Sequence, residues 1–211
     1  MASKSPIYDS LPVDSDSIRI LTLLPGDKNQ FSELQCELKC AKIDRASGSV
    51  TALEPPFEAT PFEALSYTWG ESVKTHTLLC NGLKIEITRN LFDALTELRH
   101  KSTERNMWID AICINQEDAN EKSKQIPLMK HIYQHATRVL IWLGPEGDST
   151  EHALDLIRLA SKCAQRELGF PPINEFDKWE PLVKLLHRQW FSRCWIKQES
   201  ALASRATIHI G

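Results

Sequence analysis

MWIDAICINQEDANEKSKQIPLMKHIYQHATRVLIWLG, residues 107–144, carries two short apolar runs with a helical pattern between them. Met107 to Ala111 is apolar and runs into a polar cluster, which reads as a buried strand. Val139 to Leu143 is continuously apolar and closed by Gly144-Pro145, the pattern of a strand buried on both faces. Between them, Asp118 with Glu121 three residues later resembles a capping box. Ile126, Met129, Ile132, Tyr133 and Ala136 then recur at helical spacing. Pro127 lacks an N–H, so it is expected to kink this helix or mark a restart. Strand, helix, strand is the repeating unit of an α/β layered fold.

Upstream, Phe62 to Trp69 reads as a third strand that stops at Gly70. Segments 65–69, 107–111 and 139–143 are expected to be neighbouring parallel strands. HTLLCNGLKIEIT follows, with Asn81-Gly82 between two β-rich arms. A two-residue type I′ hairpin is predicted, because both turn residues need positive φ. Thr88 caps a predicted helix with Leu91, Ala94, Leu95 and Leu98 on one face. Nearer the start, Ile18–Leu24 and Leu34–Ile43 read as strands split by Pro25-Gly26-Asp27, and residues 44–61 have turn composition. Residues 1–16 are polar and read as a loose lead-in.

Downstream, Asp148 with Glu151 suggests a cap for a helix carrying Ala153, Ile157, Ala160 and Ala164. Gly169-Phe170-Pro171-Pro172 breaks it, and a further helix carries Trp179, Leu182, Val183 and Leu186. One more helix is predicted from Trp190 to about Ala203, then a last strand over Thr207–Ile210. Stopping on a strand is expected of a domain excised from a longer protein, so residues 17–211 are read as a single domain.

The 211 residues are 42% hydrophobic and 25% charged, the profile of an ordinary globular chain. A chain this long is expected to bury roughly 70% of its unfolded surface, enough to need no staples. The 28 acidic and 25 basic residues nearly cancel, which argues against nucleic acid or an anionic membrane as the main partner. No apolar stretch approaches the ~20 residues of a spanning helix, and MASKSPIYDS is not a signal peptide. The six cysteines are irregularly spaced with no CxxC pair, so reduced thiols in a cytoplasmic protein are expected. His131 and His135 lie four apart without an HExxH pattern, so no metal site is assigned. No GxGxxG, Walker loop or GxSxG occurs either.

Three polar clusters carry candidate chemistry. Ser66, Tyr67, Trp69 and Gly70 close a strand read as central, and open α/β sheets bind ligands beyond the carboxyl ends of their strands. Tyr67 and Trp69 equally suit one core layer, and Gly70 suits either a tight turn or close approach by a ligand. Asp110, Asn115 and Gln116 follow the next strand, where amides can bind ribose hydroxyls or a carboxamide, or simply satisfy loop backbone. Trp195 and Glu199 are four apart and share a face if helical. A carboxylate desolvated beside an aromatic surface is a candidate active-site group. The alternative is an ion pair between Glu199 and Arg193 among core tryptophans.

Four separated motifs together resemble the HET domain of fungal heterokaryon incompatibility proteins. They are FEALSYTWG at 62–70, NGLKIEITRNLFDALTELR at 81–99, the stretch at 107–144, and RQWFSRCWIKQESALA at 188–203. The resemblance implies a cytoplasmic cell-death effector of the fungal incompatibility and innate-immunity kind, flanked by sensor or oligomerising domains and self-associating when active. HET domains are in turn similar to Toll/interleukin-1 receptor (TIR) domains. That implies a flavodoxin-like, mostly parallel sheet flanked by helices, here with an inserted β-hairpin and an N-terminal β extension. Several TIR domains split NAD between nicotinamide and ribose, and Cys194-Trp195-x-x-x-Glu199 resembles their W-C-x-x-E pattern with altered spacing. By this resemblance Glu199 is the catalytic residue. Ser66, Tyr67, Trp69, Gly70, Asp110, Asn115, Gln116 and Trp195 bind an NAD-like dinucleotide consumed as substrate, with no resident cofactor. The alternative is a non-enzymatic module that kills by self-association or partner recruitment, anchored by tryptophans beside Arg188 and Arg193.

Overall fold

The computed structural model describes residues 6–27, 33–54, 58–165 and 176–211. In chain order the elements begin α1 (Pro6–Asp9), β1 (Ser17–Leu23), β2 (Gln35–Ile43), β3 (Val50–Ala52), β4 (Glu63–Ser66), β5 (Lys74–Cys80), β6 (Leu83–Thr88) and α2 (Arg89–Leu98). There follow β7 (Arg105–Trp108), α3 (Asp110–Cys113), α4 (Ala119–Gln125), α5 (Met129–His135) and β8 (Arg138–Trp142). The last are α6 (Thr150–Gln165), α7 (Phe176–Leu186), α8 (Ile196–Ala201) and β9 (Ala206–His209).

Nine strands among the described residues form one sheet, ordered β6-β5-β2-β1-β7-β4-β8-β9, with β3 paired to β2. The half that holds β7, β4, β8 and β9 is parallel throughout. The three apolar runs are therefore neighbours, with β4 in the middle, as expected of an α/β fold. The N-terminal extension joins antiparallel through β1 and β2, and the hairpin hangs from β2 by a short parallel pairing to β5.

Local chemistry explains most of these elements. Asn81 (φ 49°) and Gly82 (φ 77°) make the two-residue turn between β5 and β6. The Asn81 carboxamide also exchanges two hydrogen bonds with Leu38 backbone, which docks the turn on β2. Thr88 caps α2 by accepting from Leu91 N, and Leu91, Ala94, Leu95 and Leu98 are buried. Asp118 caps α4 through Asn120 N and Glu121 N. Glu121 does not reach back to complete a capping box. It takes Asn115 N (2.6 Å) and both ends of the fully buried Arg19 guanidinium (2.6 and 3.0 Å). Pro127 marks a restart, sitting in a 3₁₀ turn over Ile126–Leu128 between α4 and α5.

The structure corrects several expectations. Residues 6–16 are not a loose lead-in. Ile7 is buried, Tyr8 Oη donates to Ile112 O (3.0 Å), and Leu11 O accepts from Arg19 Nε (2.8 Å). The β4 strand ends at Ser66 and β7 at Trp108, each earlier than their apolar runs, because the polar groups that follow bond elsewhere. The helix expected over Trp190–Ala203 is two pieces: a 3₁₀ turn at Gln189–Ser192, then α8, with Arg193 extended between them (φ −74°, ψ 137°). Arg193 is held there by a hydrogen bond from its Nη1 to Tyr67 O, a tertiary contact that helix propensity cannot foresee. The α6 helix starts after Asp148: Ser149 O accepts its first bond, from Ala153 N (3.1 Å), so Asp148 is not the cap. Only Ala153 of its expected stripe is fully buried, and Ile157 is exposed. The Gly169–Pro172 break lies outside the described residues.

All six thiols are free, with Cys36 and Cys80 in register across β2 and β5. No described helix is long and apolar enough to cross a membrane. Among the described residues no cluster of three or more His, Cys, Asp or Glu side chains is arranged to hold a metal.

Candidate functional site

Strands β4 and β7 deliver two chain segments to one edge of the sheet, and a third, on α8, packs against them there. Beyond the end of β4, Tyr67 is buried and Trp69 is 42% exposed, so the two rings do not share a core layer. The carbonyls that leave the ladder are taken by side chains: Arg193 donates to Tyr67 O, and Asn90 Nδ2 donates to Thr68 O (2.6 Å). Asn90 is itself fixed by Trp142 Nε1 at the end of β8 (3.0 Å). Gly70 lies at positive φ (70°) and lines neither of the cavities described below, so its freedom serves the turn.

Asp110 opens α3 directly after β7. Its carboxylate accepts from Trp69 Nε1 (3.0 Å) and from Ala111 N (2.7 Å), and Gln116 Nε2 donates back to Asp110 O (2.8 Å). Asn115 is spent locally, its Oδ1 accepting from Glu117 N (3.1 Å). Behind this loop Arg19 Nη1 donates to Cys113 O (3.0 Å), and the Arg19–Glu121 pair ties the loop to β1 and α4. The loop therefore rests on a buried ion pair.

The third segment supplies Glu199, only 2% exposed. Ser66 Oγ donates to Glu199 Oε2, and Trp190 Nε1 in turn donates to Ser66 Oγ (2.8 Å). Arg193 Nη2 stands 3.8 Å from Glu199 Oε1. Trp195 is the N-cap residue of α8 and half exposed. Its backbone is helical and its carbonyl accepts from Glu199 N (3.0 Å), so the expected four-residue helical spacing holds and both side chains reach the same cleft.

That cleft, about 380 Å³, brings together Glu199, Asp110, Trp69, Gln116 and Trp195, with Arg193, Lys122 and three apolar side chains. A second cavity of about 360 Å³ adjoins it, bounded by the hairpin and residues 111–117. It takes Tyr67 and Asn115 and shares Trp69 and Gln116 with the first. Ser66 lies beneath the cleft as a partner of Glu199.

Burial pushes the Glu199 carboxyl above its ordinary range, and the nearby Asp110 charge pushes the same way. The Ser66 hydrogen bond and the Arg193 charge oppose this. Burial also raises Asp110, against the Trp69 hydrogen bond, the Arg193 charge and the Ala111 N–H. Two carboxyls with raised affinity for a proton, in one cleft beside exposed indoles, form an arrangement more common at functional sites than elsewhere.

Sequence reasoning met Arg193 as an ion partner for Glu199 or a flank of an interface, and missed that it holds the Tyr67 carbonyl. Lys122 and Asn90 were missed altogether. Lys122 is one polar residue on a polar helix, and nothing in its neighbours marks the face that meets the cleft. Trp190, expected as a core tryptophan, is buried and bonded to Ser66, and Arg188 is spent on Leu143 O (2.9 Å) and Gly144 O (3.3 Å).

Fold and site together define an α/β domain with a two-carboxylate, aromatic-walled cleft at the carboxyl edge of its parallel strands. The chain belongs to the heterokaryon incompatibility (HET) family, whose model, described as heterokaryon incompatibility protein (HET), matches residues 62–199. It is 29% identical to heterokaryon incompatibility protein 6, OR allele, of Neurospora crassa, in an alignment covering 97% of this chain and 35% of that protein. The chain thus spans about a third of that relative's length. No solved structure matches it.

Proposed function

We propose that this domain is a cell-death effector of the fungal incompatibility type, acting in the cytoplasm as a TIR-like glycohydrolase on NAD-like dinucleotides. The observation that carries the reading is Glu199: a carboxylate 2% exposed, hydrogen-bonded by Ser66, in one cleft with Asp110, Trp69 and Trp195. Family membership and the incompatibility relative support the cell-death role.

The reaction asks little of the protein. Nicotinamide is already a cationic leaving group, so the ribosyl C–N bond breaks with its electron pair going to the ring nitrogen, and no strong general acid is needed. The carboxylate of Glu199 steadies positive charge on the ribosyl carbon and accepts from a ribose hydroxyl. Water then adds to that carbon and loses a proton, giving ADP-ribose and free nicotinamide. The exposed indole of Trp69 or Trp195 stacks on the departing ring, Gln116 meets its carboxamide, and Lys122 and Arg193 offset phosphate charge. Self-association of active domains is part of the reading.

The test is nicotinamide release from NAD by concentrated purified domain, with Glu199→Gln beside it. A second reading, a scaffold that kills by assembly, is favoured by one observation: Ile157 and Leu159 on α6, with Val183 and Leu186 on α7, are exposed large apolar residues. An assembled protein that releases no nicotinamide selects the scaffold.

A further inference from the structure

The second cavity lies against the inserted hairpin, outside the cleft that holds Glu199, and its lining differs in kind. It continues from the catalytic cleft, because Trp69 and Gln116 line both. Its apolar lining includes Ile85 on β6 and Tyr67, just beyond the end of β4. Two exposed lysines stand on it, and neither has an ion partner among the described residues. The register places Lys74 opposite Thr88 at the open end of the hairpin, four residues after Gly70. Lys84 is opposite Leu79, near the turn. Glu86 and Glu117 also line the cavity, so it is not a simple anion sink.

Apolar walls for a flat ring, carboxylates for sugar hydroxyls and lysines for phosphate together match one chemical class, a nucleoside phosphate. At about 360 Å³ the cavity is near the small end of ligand pockets, sized for half of a dinucleotide rather than the whole.

We infer that this cavity is the subsite for the adenosine-phosphate half of the substrate, with Trp69 as the partition between the two halves. The inference rests on the glycohydrolase reading for the identity of the other half. Lys74 meets the pyrophosphate as it passes the partition. The purine lies between Ile85 and Tyr67.

The probe is AMP, which fits this subsite without any reaction, followed by calorimetry and by quenching of tryptophan fluorescence. AMP binds the wild-type domain. Lys74→Glu, which lies on the exposed surface, and Ile85→Trp, which fills the cavity, each weaken it by roughly tenfold or more, the scale of one charge-assisted contact. The same variants raise KM for NAD by more than they raise KM for nicotinamide mononucleotide, which lacks that half. Absence of AMP binding overturns the inference, as does AMP binding unchanged in both variants. NAD cleavage with KM unmoved by either variant overturns it while leaving the glycohydrolase reading intact. AMP binding that both variants abolish, in a protein that cleaves no NAD, supports the subsite and removes the hydrolase.

Discussion

Glu199→Gln separates a catalytic carboxylate from a structural one. Glutamine keeps the shape and still offers Ser66 Oγ an acceptor, so the Trp190–Ser66 chain survives. Arg193 is not left alone either, because its Nη1 still has Tyr67 O. The proton balance points the same way. Burial raises the Glu199 carboxyl in the folded state above its unfolded value of about 4.3. Between those two values the folded protein holds a proton the unfolded chain has released. Stability is therefore full below the unfolded value and falls as pH rises through the folded one. Glutamine has no such loss, so the variant at pH 7 melts no lower than wild type, and the difference closes on acidification. Activity behaves oppositely. Removing one preorganised charge that stabilises a developing cation costs on the order of 10²–10³ in rate, or ~2.7–4 kcal/mol. The assay is nicotinamide release and a melting curve on one preparation, with killing scored in cells carrying the same variant. A variant that melts many degrees lower refutes the reasoning, as does a stable one that still cleaves and kills.

Wild-type cleavage should rise with pH across the raised Glu199 value, because the ionised form is the active one; a rate flat from pH 4.5 to 8 contradicts this. Trp69→Phe keeps a ring at the partition but removes the donor to Asp110, so the Asp110 carboxyl moves further up, a shift read by NMR titration of that carboxyl with little change in Tm. Arg19→Ala leaves Glu121 without its buried partner, costing about 3–5 kcal/mol and lowering Tm by roughly 6–20 °C in a melting scan. In native alkylation followed by mass spectrometry, exposed Cys194 reacts first, whereas burial keeps Cys36, Cys80 and Cys113 unreactive until denaturant is added.

The parts of the fold legible in sequence are those decided within about ten residues. Runs such as Val139–Leu143 announce a strand with both faces covered, Asn81-Gly82 a turn of positive φ, and Thr88 a cap. The order of strands was only partly legible. Parallel pairing of β7, β4 and β8 follows from helices between apolar runs, but antiparallel docking of β1 on β7 depends on long-range register that no local pattern encodes. The same division runs through the site. Asp110 and Trp69 stand out because they follow apolar runs at the carboxyl ends of strands, and Glu199 because it is four residues from Trp195 on a helical run. Ser66 was placed among the binding residues, yet its partner Glu199 is 133 positions away. The break at Arg193 is invisible because a competent helical sequence is interrupted by a carbonyl acceptor on another strand.

That break has a further consequence for what the cleft is for. Were residues 189–201 one straight helix, Arg193 and Glu199 would be six apart, on different faces. The extended residue instead turns Arg193 back toward the sheet, where it serves the Tyr67 carbonyl first and Glu199 only at 3.8 Å. An arrangement selected to neutralise a buried glutamate would bring the guanidinium into bidentate contact, as Arg19 does with Glu121 at 2.6 and 3.0 Å. Both arrangements occur in the same domain, so the loose one is not a limit of the fold. Glu199 is held near positive charge but not saturated by it. An oxygen of that carboxylate remains available to something that enters the cleft, and on the glycohydrolase proposal that something is the transient cation on a ribosyl carbon.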